Sequence, residues 1–574
     1  VPPSDAAMPM TAAAPPAPAD RKPVRRARPG AFWFAGAALV ALAVLAPILS
    51  LVLTALEGSG DLWPHLVAYV LPQALTDTVL LLAGVGAISV VIGTGTAWLV
   101  TAYDFRGRRV LSWALLLPLA VPTYIVAFAY LDILHPIGPV QAALKAVFGR
   151  ETMRGFRLPE LRSLGGCIFV IGFVLYPYVY LTARAMFAMQ AASLIEAART
   201  LGCGPVAAFF RIALPQARPA VAVGTSLALM ETMNDIGASE FLGVQTLTVS
   251  IYATWVNRSN LPGAAQIALA ALAVVVLLVG IERWARRRQR HAGPGQRARA
   301  IAPVRLRGLK GAAAFAACAL PVAIGFAAPA AYLLSEAIKR LRFAGFGPDL
   351  MRETLTTFGV AAAATVLTVV LGLVVAHAAR LSRLAARRNL ATDFMIRAAS
   401  LGYAVPGTVL AIGLMISLAG LDHLIGAGAS LVGGVDPGLI VSGSAAAVVY
   451  ACVARFLAVS TGGIDAGYAK IPASFDHAAR TLGRTAGGTL ARIHLPLLRP
   501  ATGAAALLVF VDCMKELPAT LLLRPLNFET LATHLYGEAA RGSYEDGAVA
   551  ALAIVLFGLL PVLVLARLSG KPAA

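Results

Sequence analysis

Twelve blocks of apolar residues, each long enough to cross a bilayer, decide what this chain can fold into. In the first half they run at about 32–55, 75–102, 111–133, 165–188, 218–240 and 263–284. In the second they run at about 311–335, 355–379, 393–420, 438–460, 500–522 and 546–567. A hydrocarbon core is spanned by roughly 20 helical residues. Lipid offers no partner to backbone N–H and C=O, so the spans must be helices. The expectation is an all-α integral membrane protein with about twelve transmembrane helices in two pseudo-symmetric six-helix halves. Composition agrees, because 13% charged residues are too few to cover a water-soluble chain of 574 residues.

The net charge of +20 sits at span ends. That placement argues against a nucleic-acid partner, which needs a soluble basic face. "RKPVRRAR" (21–28) closes an Ala/Pro-rich tail over 1–30, which reads as disordered. "DFRGRR" (104–109) and "ARLSRLAARR" (379–388) follow the second span of each half, and 282–310 has ten Lys/Arg against one Glu. The positive-inside rule places all of them in the cytoplasm, with both termini and the join. "KRLRF" (339–343) falls on the other side in this scheme and reads either as the start of an interfacial helix or as the sign of a misplaced span boundary. The apolar block after the tail is too long for a signal-peptide core, so it reads as an uncleaved first span. The domains are then 31–284 and 311–568, joined by a basic linker over 285–310. The five scattered cysteines show no metal-ligand spacing and read as small apolar packing residues.

One polar segment occurs twice. "EAARTLGCGPVAAFFRIALPQARPA" from Glu196 returns as "HAARTLGRTAGGTLARIHLPLLRPA" from His477. Glu196 and His477, Gly202 and Gly483, and Pro215 and Pro496 are each 281 positions apart. Each copy lies between the fourth and fifth spans, on the cytoplasmic side. Each reads as a helix, a glycine break, a second helix that stops at Leu-Pro, and then the next span.

The pattern E-A-A, three residues, Gly, nine residues, I-x-L-P resembles the EAA loop of binding-protein-dependent ABC importer permeases. The first copy matches at Glu196, Ala197, Ala198, Gly202, Ile212, Leu214 and Pro215. The second matches at Ala478, Ala479, Gly483, Ile493, Leu495 and Pro496, with His477 where the family has Glu. The resemblance implies that each loop docks on one copy of a cytoplasmic ATPase, so two copies bind this chain, and that a periplasmic binding protein delivers cargo. It also implies the bacterial inner membrane. The chain carries no phosphate-binding G-x-x-x-x-G-K-[ST], its Gly570-Lys571 pair being followed by Pro572. ATP and Mg are therefore expected on the partner ATPase, with no cofactor and no enzymatic chemistry in this chain.

The fifth spans carry carboxylates. At the 281 offset Glu231 aligns with Asp512 and Asp235 with Glu516. The i, i+4 spacing places each pair on one helix face, with Cβ atoms ~5–6 Å apart. Charges at such depth face the bundle interior. The four are candidates to line a translocation pathway and to hold a hard cation transiently. Alternatively, Asp512 or Glu516 pairs with Lys515 or with a base on a neighbouring span. "ETMNDIGASEFLGVQTLTVSIYATW" (231–255), "KELPATLLLRPLNFETLATHLYG" (515–537) and the repeated "AVP" at Ala120–Pro122 and Ala404–Pro406 resemble fused permeases of ferric-iron importers. Fused permeases for thiamine and for organophosphonates are similar. The rivals across classes are an ion-gradient-driven carrier, which has no need of two ATPase docking loops, and a membrane enzyme, for which no nucleophile motif is present.

Overall fold

The structure, a computed structural model, describes residues 31–148, 159–189, 200, 202–287, 303–345, 347–384, 390–399, 401–431, 435 and 438–569. Among them, 11 helices are long and apolar enough to cross a membrane, or 12 if a pair bent by 92° forms one span. The one strand pairing among the described residues joins Tyr103–Asp104 to Val304–Arg305. It brings the end of the second span beside the end of the central join.

The first spans do not stay with their own halves. Ala31–Glu57 packs against Gly407–Leu431 and Pro348–Arg383 of the second half as well as against Leu261–Arg287. Its Tyr450 contact fixes this, the phenol donating to the Ala43 carbonyl at 2.7 Å. Reciprocally, Gly308–Phe343 touches Leu62–Ala102, Thr123–Ile133 and Leu164–Met189. One apolar core accordingly mixes Val40, Val44 and Leu51 with Val409, Leu410 and Leu457. Another mixes Ile125, Phe128 and Ile171 with Leu531, Leu535 and Ile554.

Prolines shape the long helices in two ways. The third apolar block of each half is not one straight span. Arg108–Ala120 and Thr123–Ile133 meet at 92°, because Pro122 holds Val121 extended at φ −107°, ψ 118°. The second half breaks likewise, between Leu390–Ala398 and Gly407–Leu431, ahead of which stands Pro406. Elsewhere proline is absorbed. Four π-helical turns, Leu66–Val70, Phe209–Ala213, Ala323–Ala327 and Leu490–His494, each end two residues before a proline: Pro72, Pro215, Pro329 and Pro496. A wide turn lets the ring clear the carbonyl four residues back. The Leu-Pro of each repeated segment therefore does not stop a helix, as its sequence suggests. Pro205–Asn234 and Ala486–Met514 run through it unbroken.

"KRLRF" begins no separate interfacial helix. It finishes Gly308–Phe343, with Lys339 on Glu336 at 2.7 Å and Arg340 paired with Asp546. Four cysteines are buried and Cys203 is half-buried, all as free thiols.

Candidate functional site: a charged cavity between the halves

Both fifth spans end inside the bundle. Pro205–Asn234 stops at Asn234, and Asp235 leaves the helix at φ −77°, ψ 110° before Gly237–Phe241 begins. In the second half the break separates Met514 from Pro518–Leu523. Gly237 is required at its turn, since a Cβ there would meet Tyr124 Cβ at 2.6 Å. Pro518 opens the other short helix, in a first turn where its missing N–H leaves no helical bond unmade. The i, i+4 carboxylates therefore do not share one helix face. The break falls between the members of each pair.

The two members then have different partners. Asp235 Oδ1 accepts the Ala238 N–H at 2.8 Å. Glu516 Oε1 accepts the Ala519 N–H at 2.9 Å, and Oε2 accepts the Thr520 N–H at 3.0 Å and hydroxyl at 2.6 Å. Each caps the short helix that follows, satisfying amides that have no partner within that helix. Ala238 and Ala519 are again 281 apart. Glu231 accepts the Tyr403 hydroxyl across the half boundary at 2.8 Å, and Asn234 accepts the Gly407 N–H at 2.9 Å. Asp512 pairs with Lys515 at 2.8 Å, and Glu516 with Arg455 at 2.9 Å.

All four carboxylates line one cavity of about 100 Å³, with Lys515, Arg455, Tyr124 and Tyr178. That is room for several waters. Four carboxylates face two bases there, and the bases come from the second half alone. At the 281 offset Asn234 stands opposite Lys515 and Val174 opposite Arg455. Taken as ionised, the second half's share is neutral and the first half's share, Glu231 and Asp235, is the negative excess. Arg455 was missed in the sequence. The signal was there, a lone Arg in "AAAVVYACVARFLAV", since a base inside a span needs a buried partner.

The second repeated segment is fully described. Ala473–Thr481 is a helix closed by Gly483 at φ +73°. The Arg484 N–H reaches the Ala479 carbonyl at 2.9 Å and the Gly483 N–H the Arg480 carbonyl at 3.0 Å, a Schellman end. Ala479 is buried, whereas His477, Ala478, Leu495 and Pro496 are exposed. In the first copy Gly202 repeats the left-handed turn at φ +83°, and Leu214 and Pro215 are half-buried. Glu196, Ala197 and Ala198 lie outside the described residues.

Comparison with known proteins fits this architecture. Residues 89–291 match the family model described as binding-protein-dependent transport system inner membrane component. The Fe(3+)-transport system permease protein FbpB 2 of Haemophilus influenzae is 24% identical over 507 residues, covering 87% of this chain and 90% of that protein. The probable ABC transporter permease protein y4fN of Sinorhizobium fredii is 25% identical over 573 residues, 94% of this chain and 96% of that one. The molybdenum transport system permease protein ModB of Escherichia coli aligns at 27% over 202 residues, 34% of this chain but 85% of its own length. A shorter permease thus matches part of a chain that the longer ones match throughout. Residues 89–291 thus match the domain of binding-protein-dependent transport permeases, and the chain, with its apolar helices and internal repeat, is similar over most of its length to ABC transport permeases.

Proposed function

We propose that this chain is the permease through which an ATP-driven importer moves ferric iron from the periplasm to the cytoplasm. The carrying observation is the excess of carboxylates over bases in the cavity lined by the ends of both fifth spans. A cation leaving water for a low-dielectric constriction needs compensating negative charge. Carboxylate oxygens suit a hard ion. An oxyanion such as molybdate or sulfate would meet repulsion from Glu231 and Asp235. The full-length relative from Haemophilus is named for Fe(3+).

In this reading two copies of a cytoplasmic ATPase dock on the loops at 196–215 and 477–496, and carry the ATP and Mg. Both termini lie in the cytoplasm. A periplasmic binding protein delivers iron to the opposite face. ATP binding draws the loops together and opens the cavity outward; hydrolysis returns it inward, as in alternating access. Reconstituted chain, ATPase and binding protein, offered iron, molybdate, thiamine and an organophosphonate in turn, should take up iron alone. Uptake of another of these, without iron, replaces the cargo. Uptake with no ATPase, on an ion gradient, ends the importer reading.

A further inference from the structure

The second cytoplasmic loop lacks the family's acidic residue at 477, yet an acid stands one position earlier and turns inward. The Asp476 side chain is 5% exposed. Its Oδ2 takes Arg380 Nη2 at 2.7 Å, and the same guanidinium donates to the Ile471 carbonyl at 2.9 Å. Its Oδ1 lies 3.3 Å from Nε2 of His494, which is fully buried in the π-helical turn before Pro496. Aromatic and imidazole rings pack around this group. Tyr468 is edge-on to His494 at 5.1 Å, and its hydroxyl meets His377 Nδ1 at 3.0 Å. Trp33, from the first half, stands edge-on to His377 at 4.8 Å. A second ion pair, Arg383 with Asp465, joins the same two spans nearby.

The sequence of the first half does not repeat these residues. At the 281 offset Arg380 becomes Leu99, His494 becomes Ala213, His377 becomes Thr96, Tyr468 becomes Phe187, and Asp476 becomes Ile195. That offset is the structural one here, since helices ending at Ala102 and Arg383, and helices starting at Leu164 and Ala445, obey it. The space is filled by Trp98, Phe187 and Phe209, with ring centroids 5.3 and 5.4 Å from Trp98.

We propose that Asp476 is the positioning residue of the second loop: a buried electrostatic latch ties helix Ala473–Thr481 to the end of Pro348–Arg383 and to the π-turn that opens the fifth span. The loop, the second span and the fifth span then move as one body. Motion of a docked ATPase reaches the Asp512–Lys515–Glu516 side of the cavity through Ala486–Met514 without slack. The first half transmits through aromatic packing, so the two arms of the transporter are mechanically unlike. The inference rests on the importer reading for what drives the loop, but the latch itself is a property of this chain.

Two readouts keep those apart. On the chain alone in detergent, Asp476→Asn should raise hydrogen exchange across 473–481 and leave the other helices unchanged. In the complex with ATPase and binding protein, iron taken up per ATP hydrolysed should fall about five- to ten-fold, the low end of ordinary coupling free energies. Asp476→Asn leaves Arg380 buried without its partner, which alone can disturb folding. The double variant Asp476→Asn with Arg380→Gln removes both charges. It should assemble as the wild type does and still be uncoupled. Full coupling in the double variant, or unchanged exchange over 473–481 in Asp476→Asn, overturns the latch. A wild-type complex that hydrolyses ATP without importing contradicts the importer reading and leaves the exchange result to judge the latch.

Discussion

Glu353 and His534 show how a single side chain ties elements distant in sequence. His534 Nδ1 lies 3.1 Å from Glu353 Oε1, joining Leu531–Arg541 to the start of Pro348–Arg383. Its hydrogen bond to Glu353 raises the His534 pKa above the usual 6.5. A histidine raised on folding stabilises most below its unfolded pKa, and the contribution disappears as pH rises through the folded one. His534→Ala should therefore lower the thermal midpoint at about pH 6 and cost progressively less toward about pH 9. A deficit that grows with pH would contradict this pairing. Such partners were not legible in the sequence. The fifth-span carboxylates were, as charges inside apolar blocks, but the helix break that divides their roles depends on Tyr124 crowding Gly237, a contact made 113 positions away.

At the scale of elements, the repeated loops carry the clearest expectations. Gly483→Val places a β-branched side chain at φ +73° and should cost roughly 1–2 kcal/mol locally. It should loosen the Schellman end and uncouple uptake from ATP hydrolysis. Gly202→Val, at φ +83°, should do the same in the first loop. His477→Ala, on an exposed position, should leave uptake near wild type. Uptake lost in His477→Ala but kept in Gly483→Val would mean that the loop works through its surface contact and not its turn. Span existence was legible from hydropathy because the bilayer fixes the length of every helix that crosses it. Span interiors were less so. Pro122 and Pro406 signalled breaks that the apolar blocks concealed, while Pro215 and Pro496 signalled stops that a π-turn removes.

The whole molecule is two copies of one backbone plan. The repeat survives in the backbone: equal helix registers at 102 and 383 and at 164 and 445, the π-turns before Pro215 and Pro496, and caps at Asp235 and Glu516. The charges have diverged. Arg455 and Lys515 neutralise the second half's carboxylates, and the first half's remain in excess. Two loops of one sequence pattern predict a complex of one chain with two ATPases, to be read as mass by light scattering. A stable complex with one ATPase would contradict the paired loops. The interlocked first spans predict that neither half expressed alone is stable, since Ala31–Glu57 would lose its partners on Gly407–Leu431.

The charge asymmetry of the cavity can be tested by transport. Asp512→Asn with Glu516→Gln would leave Lys515 and the buried Arg455 without their carboxylate partners and so confuse structure with transport. Glu231→Gln keeps shape and the hydrogen bond to Tyr403 while removing charge from the side that holds the excess. The direct measurement is radiolabelled ferric-iron uptake into proteoliposomes holding the full complex, with ATP hydrolysis stimulated by loaded binding protein followed in parallel. Glu231→Gln is expected to lower uptake by about ten-fold or more, a change of roughly 1.4 kcal/mol in the barrier, with stimulation of hydrolysis retained. Wild-type uptake by Glu231→Gln would contradict a pathway through this cavity.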